Sequence, residues 1–352
     1  MFAQKLLNWY AENGRELPWR GTDNPYNIWL SEIILQQTRI EQGRGYYERF
    51  LEEYPTVQDL ADASEEQVLK TWQGLGYYSR ARNLHAAARH IAYDLGGCFP
   101  DSYEGILALK GVGRYTAAAI ASFAFRLPYP VIDGNVYRFI SRMYGIYTPI
   151  GTDAAYREFE TLLSRLIDRE RPDLFNQALM DFGSTWCKPT GSDCEGCIFA
   201  QECVARREGK VTLLPVKPDK VKVKARYFHY IDIRWTEEGK SLTLVHRREA
   251  GDIWQGLYEL PLVETDKPLE EAELLPCLCR QLEQWLGAVP GECVDGPCFQ
   301  HQLTHRLITA RFVTAIYPRR PSAIPAELVA ISSEEIKKLP VPRLIDKYLK
   351  SL

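Results

Sequence analysis

Apolar residues recur every three to four positions through most of residues 1–207, the spacing of helices with one buried face. The N-terminal segment shows this pattern, since Phe2, Leu6 and Tyr10 share one helical face. Proline and glycine residues separate the periodic segments and indicate turns. The pattern therefore predicts a series of helices, clearest at 65–73, 81–95, 115–125, 136–144 and 154–168.

The pattern changes after residues 208–225, which contain two prolines and alternating lysines and favour a linker. From Arg226 onward the apolar residues alternate or run together as they do in strands. Strand-like segments occupy 226–235, 242–248 and 307–317, whereas 274–286 has helical spacing. We therefore predict an all-helical domain over 1–207 and an α/β domain over 226–352, joined by the linker.

The composition is that of a globular protein, with 352 residues, 45% of them hydrophobic and 25% charged. A chain of this length is expected to form two domains. The longest apolar run, 115–125, covers roughly eleven residues and is too short to cross a bilayer. The N-terminus lacks the basic-then-apolar build of a signal peptide. We expect a cytoplasmic monomer without membrane contact.

The net charge of −3 gives no overall sign of a nucleic-acid partner, because such proteins usually have a basic bias. A local basic patch is nevertheless sufficient for phosphate contacts. Arginines do cluster locally, at Arg39, Arg44 and Arg49, at Arg80 and Arg82, and at Arg138 and Arg142.

Nine cysteines, an odd number, without a signal peptide argue against a disulfide scaffold. Four of them form the pattern Cys187-x6-Cys194-x2-Cys197-x5-Cys203, which predicts a metal centre in a loop over 187–203. Zinc and an iron–sulfur cluster both accept four thiolates. Zinc sites usually pair two CxxC motifs and this chain has one here, so the spacing favours iron and sulfur. Four unrelated cysteines are the remaining alternative.

The segment LKGVGRYTAAAI, residues 109–120, predicts a glycine turn followed by a helix. Gly111 and Gly113 permit positive φ and close backbone approach, and the free N–H groups at a helix start suit a phosphate. We interpret residues from about 105 to 125 as a helix–hairpin–helix that binds a DNA backbone without reading its sequence. The alternative is an ordinary turn between helices.

Two carboxylates stand out in apolar surroundings. Glu32 lies in the helix-like stretch SEIILQQTRI, residues 31–40, and Asp133 precedes the helical segment 136–144. An apolar site raises the pKa of a carboxyl group and keeps it able to donate a proton. The alternatives are a structural glutamate and an N-capping aspartate, although capping also fixes a carboxylate in place.

Such a pair of carboxylates is what cleavage of a glycosidic bond requires, one as an acid and one to stabilise the cationic sugar. For a nucleoside in DNA the base must first leave the stack, and a side chain must fill the gap. Gln37 is a candidate for that role.

Several long motifs of this chain closely resemble those of adenine DNA glycosylases of the MutY type, and they occur in the same order along the sequence. These enzymes belong to the helix–hairpin–helix glycosylase superfamily. The resemblance covers residues 1–207. Its motifs are PWR at 18–20, SEIILQQTRI at 31–40, GLGYYSRARNL at 74–84, GVGRYTAAAI at 111–120, VIDGNVYRFISR at 131–142 and the cysteine pattern.

The resemblance implies an enzyme that flips out adenine mispaired with 8-oxoguanine or guanine in duplex DNA and hydrolyses its glycosidic bond. Glu32 matches the acid that protonates adenine, and Asp133 matches the carboxylate that stabilises the sugar. Tyr115 and Asn135 match residues beside these carboxylates, and the four cysteines match the ligands of a [4Fe–4S] cluster. Further matches are Trp19, Arg20 and Gln177 in the adenine pocket, and Gln37, Thr38, Leu75 and Tyr77 among the wedge and 8-oxoguanine contacts.

Tyr115 separates this interpretation from a bifunctional lyase of the endonuclease III type. That branch carries a lysine here, which forms a Schiff base and cuts the strand, whereas a phenol cannot form an imine. A second alternative is a non-catalytic iron–sulfur protein that binds DNA or acts as a sensor. Retention of both Glu32 and Asp133 counts against it.

Residues 226–352 resemble the Nudix-like 8-oxoguanine recognition domain of the same family, with WQGLYELP at 254–261 as one match. FQHQLTH, residues 299–305, stands in place of the lesion-reading loop. Phe299 and His301 match the family motif, and Gln300 replaces a serine. An amide can still donate and accept hydrogen bonds. The alternative for His301 and His305 is a surface loop pair. Residues 270–286 lack the REx2EE arrangement of Nudix hydrolases, so we expect no pyrophosphohydrolase activity.

Overall fold

The computed structural model describes residues 2–218 and 223–352, and the chain divides into two units. The first unit comprises 1–62 and 83–219, and the second comprises 63–82 and 220–352. The predicted boundary at residue 207 does not anticipate that 63–82 groups with the C-terminal region. Within the predicted linker, residues 219–222 lie outside the described residues.

Helices form the chain up to residue 207, and each predicted helical segment contains one. The segment 81–95 changes from an α-helix to a π-helical turn at His90–Asp94, and a second π-helical turn covers Phe182–Trp186. The helices are α1 (Phe2–Asn13), α2 (Pro25–Leu35), α3 (Ile40–Glu53), α4 (Val57–Asp62), α5 (Glu65–Thr71), α6 (Ser79–Arg89), α7 (Tyr103–Leu107), α8 (Arg114–Phe125), α9 (Gly134–Tyr144), α10 (Asp153–Leu166), α11 (Pro172–Asp181) and α12 (Val204–Arg207).

An aromatic-rich core joins α1, α9, α10 and α11 in the first unit. Its members come from positions three and four residues apart along each helix, so that each helix buries one stripe. On α9, for example, Val136, Phe139, Ile140 and Met143 are all buried. The buried aromatic side chains of this core are Trp9, Phe139, Phe159, Phe175, Phe182 and Phe199.

The second unit contains a seven-stranded sheet with the order β3-β2-β1-β6-β5, to which β4 adds beside β1 and β7 beside β2. The pair β1–β6 is parallel and the other pairs are antiparallel. The strands are β1 (Lys224–Glu237), β2 (Lys240–Arg247), β3 (Tyr258–Glu259), β4 (Leu262–Thr265), β5 (Glu292–Gln302), β6 (Arg306–Ile316) and β7 (Leu328–Ser332), with helices α13 (Glu271–Leu286) and α14 (Arg343–Leu349).

Both faces of this sheet are buried, which explains the nearly continuous apolar run along β1. Tyr230 packs on the α14 side with Tyr348, whereas Ile233 packs on the α13 side with Leu278. The predicted succession of an all-helical region and a domain of mixed strands and helices is confirmed by these elements.

One element differs from the prediction: residues 299–302, expected in a loop, are the last residues of β5, and only 303–305 turn into β6. None of the helices in the described part of the chain has the length and apolar character that a bilayer span requires.

Candidate active site

Glu32 lies on α2, a helix buried on nearly every side. Asn24 caps the helix by accepting from the Tyr26 N–H at 2.9 Å, and Pro25 occupies its first turn. Glu32 is only 6% exposed. Burial raises its pKa from 4.5 to about 7, a hydrogen bond from Tyr115 lowers it, the charge of Asp133 raises it and that of Arg20 lowers it. The carboxyl group is therefore partly protonated near neutral pH.

Tyr115 is in the first turn of α8, opposite α2. Its phenol hydrogen-bonds to Glu32, and burial raises the pKa of Tyr115 well above 10, so the phenol stays protonated and donates. The two helices are also joined by Gln36, whose Nε2 donates to Thr116 Oγ1 at 3.1 Å. The first of the paired glutamines therefore holds the helices together.

Asp133 caps α9, as the sequence predicted for its structural role. Its Oδ1 accepts from the Val136 N–H at 2.7 Å, and its Oδ2 accepts from Asn135 Nδ2 at 2.7 Å. Burial raises the pKa of Asp133, and these hydrogen bonds oppose that rise. The side chain also lines the cavity that Glu32 faces, so the cap and the site coincide.

A cavity of about 180 Å³ joins these groups within the first unit. It contains seven of the residues expected at the reaction site or in the adenine pocket, together with Thr38. Gln37 does not line it: α2 ends at Leu35, and Gln37 is exposed with φ +55°. The predicted residues that line the cavity are Trp19, Arg20, Glu32, Thr38, Tyr115, Asp133, Asn135 and Gln177.

Three residues around this cavity were not predicted from the sequence. Asp181, at the end of α11, is fully buried and accepts two hydrogen bonds from Arg20, at 2.7 and 2.8 Å. Arg15 Nε donates to the same carboxylate at 2.9 Å. The Tyr10 hydroxyl donates to Gln177 Oε1 at 2.7 Å. Because these partners lie more than 160 positions apart, no local pattern could have linked them.

The predicted hairpin consists of α7, a glycine turn and α8. Gly111 has φ +80°, and a Cβ there would lie 2.6 Å from the Cβ of Asn83, so both backbone and space require glycine. Gly113 caps α8 with φ −97°, and a Cβ there would meet open space. The exposed start of α8 leaves N–H groups free to bind an anion.

All four predicted cysteine ligands line one further cavity, beside Phe139, Phe182 and Phe199. Burial raises the pKa of Cys197 to about 11, and the charges of the other three thiols raise it further. In the described residues no three His, Cys, Asp or Glu side chains form a grouping that would hold a single metal ion. The four sulfurs are Cys187, Cys194, Cys197 and Cys203.

In the second unit, the segment 74–77 forms a turn in which Gly74, Gly76 and Tyr77 all have positive φ. Leu75 is buried at 8% exposure, whereas Tyr77 is 49% exposed. The Tyr77 hydroxyl lies 2.6 Å from Thr304 Oγ1. The structure therefore brings this turn together with the turn that follows β5.

The end of β5 presents its three predicted residues to opposite sides, because successive strand residues alternate. Phe299 packs against Phe312 with ring centroids 5.8 Å apart, and the His301 ring lies 6.2 Å from that of Trp254. Gln300 is exposed. The strand therefore leaves the substituted position, Gln300, free to contact a ligand.

Comparison with known proteins agrees with this architecture. Residues 30–165 match the HhH-GPD superfamily of base excision DNA repair proteins, and residues 233–351 match the NUDIX domain. A solved thermostable thymine-DNA glycosylase superposes with a TM-score of 0.55 at 29% identity, covering 59% of this chain and 95% of that one. The fold and cavity thus define a DNA glycosylase of the helix–hairpin–helix class.

Curated relatives narrow the class. The adenine DNA glycosylase of Buchnera aphidicola is 33% identical over 262 residues, 74% of this chain and 74% of that protein. That of Rattus norvegicus is 40% identical over 230 residues, 62% of this chain and 45% of the rat protein. This chain belongs to the adenine DNA glycosylase family, and the resemblance seen in its motifs is confirmed. It spans less than half of the rat relative.

Proposed function

We propose that the protein hydrolyses the N-glycosidic bond of adenine mispaired with 8-oxoguanine or guanine in duplex DNA. The observation that carries the proposal is the cavity of about 180 Å³ in which a buried acid, Glu32, and a capped carboxylate, Asp133, face the same space. Two carboxyl groups held in different environments can take different roles, one as the proton donor and the other as the stabiliser of positive charge on the sugar.

In the proposed reaction Glu32 donates its proton to adenine N7, which makes the base a neutral leaving group. The bond between the sugar and the base breaks with its electron pair going to adenine. Asp133, held by the Val136 N–H and Asn135, stabilises the positive charge left on the sugar. The ionised Glu32 then accepts a proton from the attacking water, which restores the acid.

The buried cavity can receive adenine only after the base leaves the stack. Within the cavity Trp19 and Gln177 would contact the base. Gln37, exposed with positive φ immediately after α2, is proposed to fill the gap in the duplex, with Thr38 beside it. The glycine turn at Gly111 and the start of α8 would hold a backbone phosphate through N–H groups.

Residues of the second unit are proposed to read the base opposite adenine. Leu75 and Tyr77 supply apolar and aromatic contacts from the 74–77 turn. Gln300, exposed on β5, offers an amide that can both donate and accept hydrogen bonds. Phe299 and His301, on the other side of the strand, pack with Phe312 and Trp254 and would set the position of that amide.

The proposed reaction is hydrolysis without strand cleavage. Tyr115 occupies the position where a lyase needs an amine, and its phenol is committed to a hydrogen bond with Glu32. Borohydride treatment during turnover should therefore yield no covalent protein–DNA adduct. Efficient trapping would show instead that the protein is a lyase.

The four cysteines are proposed to hold a [4Fe–4S] cluster, which would stabilise the loop that carries them. Each cysteine of such a cluster binds a different iron, so the sulfurs need not converge on one point, as zinc would require. Arg142 supports this proposal. It is 3% exposed and donates to the Leu214 and Lys188 carbonyls and to Cys187 Sγ, so a thiolate-bound cluster would supply the negative charge that a buried guanidinium requires.

The proposal is tested by single-turnover adenine release from a duplex with adenine opposite 8-oxoguanine. Glu32→Gln and Asp133→Asn should each reduce release by about 10²-fold or more, because each removes a charge role from the transition state, while binding to the mispair stays within a few-fold. Glu41→Gln, an exposed acid on α3, is the matched control. Wild-type rates in Glu32→Gln would disprove the acid assignment.

A further inference from the structure

Asp181 is a buried carboxylate that the proposed reaction does not use. Its side chain has no exposed surface, and its two oxygens accept from the two terminal guanidinium nitrogens of Arg20, Nη1 at 2.7 Å and Nη2 at 2.8 Å. Arg15 adds bonds from its backbone N–H at 3.0 Å and from Nε at 2.9 Å. Such an arrangement fixes the position of both arginines.

Both arginines line the cavity that contains Glu32. Arg20 is 11% exposed at its side chain, so its charge is poorly screened by solvent. Its field already acts on Glu32 and lowers the pKa of that carboxyl, although burial has the larger, opposite effect. An acid needed at neutral pH would lose its proton if this arginine turned toward it.

We propose that Asp181 is a positioning residue for this reaction: it holds Arg20 along the cavity wall and keeps the guanidinium from pairing with Glu32. The inference rests on the proposed function, because it concerns the acid of that reaction. Three groups besides Asp181 influence the protonation of Glu32: Tyr115 from α8, Asp133 from the start of α9, and Arg20.

The bonds to Asp181 also explain why this carboxylate can remain charged in the interior. Although burial raises its pKa, the hydrogen bonds from Arg20 and Arg15 outweigh that effect and leave the pKa below its usual value. Asp181 therefore stays ionised through the pH range in which Glu32 titrates, and its hold on Arg20 does not weaken there.

The test is the pH dependence of single-turnover adenine release. In Asp181→Asn, Arg20 loses its ionic partner. The Arg20 charge already acts on Glu32, so the guanidinium is then able to pair with that carboxylate. The alkaline limb, where the rate falls as Glu32 loses its proton, should move about one pH unit or more toward acid. Asp181→Glu, which keeps the charge, should leave the limb close to that of the wild type.

The double variant Asp181→Asn with Arg20→Gln distinguishes an effect of the Arg20 charge on Glu32 from a general disruption of the site. Removal of the released guanidinium should return the limb to the wild-type pH or move it slightly above, because Arg20 lowers the Glu32 pKa in the wild type as well, even if the maximal rate is lower. A limb that does not move in Asp181→Asn, or that stays displaced toward acid in the double variant, would overturn the inference. Absence of adenine release by the wild type at every pH would instead overturn the proposed function.

A second, independent observation concerns two cysteines that the proposed cluster does not use. Cys279 on α13 and Cys293 on β5 have their sulfur atoms 3.4 Å apart, and both side chains are partly buried. A disulfide bond is about 2.05 Å long, so side-chain rotation would have to bring the sulfurs about 1.4 Å closer. We propose that this pair is an oxidation site that forms a disulfide between α13 and β5 when a peroxide is present.

The reaction balances with hydrogen peroxide as the oxidant. Burial and the neighbouring thiol raise the pKa of Cys293. With Cys279 as the first nucleophile the steps are as follows, and they balance equally with the two cysteines exchanged. The Cys279 sulfur attacks one peroxide oxygen, the O–O bond breaks, and one water leaves after protonation. Cys293 then gives up its proton and displaces the hydroxyl from Cys279 as a second water. The two thiols lose two electrons and the peroxide gains them.

Peptide mapping without reductant tests the site, since trypsin cuts after Arg280, between the two cysteines. Peroxide-treated wild-type protein should give a cross-linked peptide pair, and Cys279→Ser should abolish it. The variant Cys277→Ser with Cys298→Ser removes the other cysteines of those peptides and should keep the link. Separate peptides from treated wild-type protein, or loss of the link in that double variant, would overturn the proposal.

Discussion

Replacement of Glu32 by glutamine should raise the free energy of unfolding near neutral pH, although the same substitution removes the acid of the proposed reaction. The carboxyl group is 6% exposed, and burial raises its pKa to about 7. Ionisation of this carboxyl group is therefore less favourable in the folded protein than in the unfolded chain. Glutamine has a similar shape and no charge to bury, so the variant avoids this cost.

The magnitude follows from the pKa difference. A folded value of about 7 against an ordinary value of 4.5 corresponds to about 3.5 kcal/mol, at about 1.4 kcal/mol for each pH unit. Because the folded pKa is raised, the stability that the protonated acid contributes is present below pH 4.5 and is lost as the pH rises toward 7. Between pH 5 and 8 the wild type should lose about 2.5 kcal/mol relative to Glu32→Gln.

Urea unfolding of both proteins at pH 5, 6, 7 and 8 measures this difference directly. Glu41→Gln, exposed on α3, serves as the control and should follow the wild type at every pH. The expected result is a stability gap for Glu32→Gln that widens with pH. A gap that is constant from pH 5 to 8 would refute the assignment of Glu32 as a buried acid with a raised pKa.

Three further predictions concern other parts of the molecule. Tyr115→Phe removes the hydrogen bond that lowers the Glu32 pKa, so the alkaline limb of adenine release should move to higher pH; a shift toward acid would contradict this. Gly111→Ala should cost about 1–3 kcal/mol of unfolding free energy and weaken DNA binding, because of φ +80° and the contact with Asn83. Gly113→Ala should leave the unfolding free energy nearly unchanged, and equal losses of stability in the two variants would contradict the geometry. Purified protein should be yellow-brown with about four irons per chain, and Cys197→Ser should lower that content; a colourless zinc protein would refute the cluster.

Much of the fold could be predicted because local spacing determines it. The stripe at Val136, Phe139 and Met143 predicted α9, and the apolar segment that begins at Arg226 predicted the strand β1. Glu32 could be singled out because a carboxylate in an apolar helix is rare. Asp133 could be singled out because it precedes a helix as a cap does.

Other features could not be predicted because they depend on distant partners. Asp181 meets Arg15 and Arg20 across more than 160 positions, and no periodicity connects them. The two glutamines after Glu32 looked alike in sequence, yet Gln36 bonds to Thr116 while Gln37 is exposed. The difference arises because α2 ends at Leu35, a boundary that apolar spacing does not mark.

The proposed activity is decided by single-turnover release of adenine from four duplexes, with adenine opposite 8-oxoguanine, guanine, cytosine and thymine. We expect release opposite 8-oxoguanine and guanine, fastest opposite 8-oxoguanine, and none from the correct pair with thymine. Equal release from all four duplexes would contradict reading of the opposite base by the second unit. Release of no adenine, with excision of an oxidised pyrimidine instead, would contradict the proposed reaction itself.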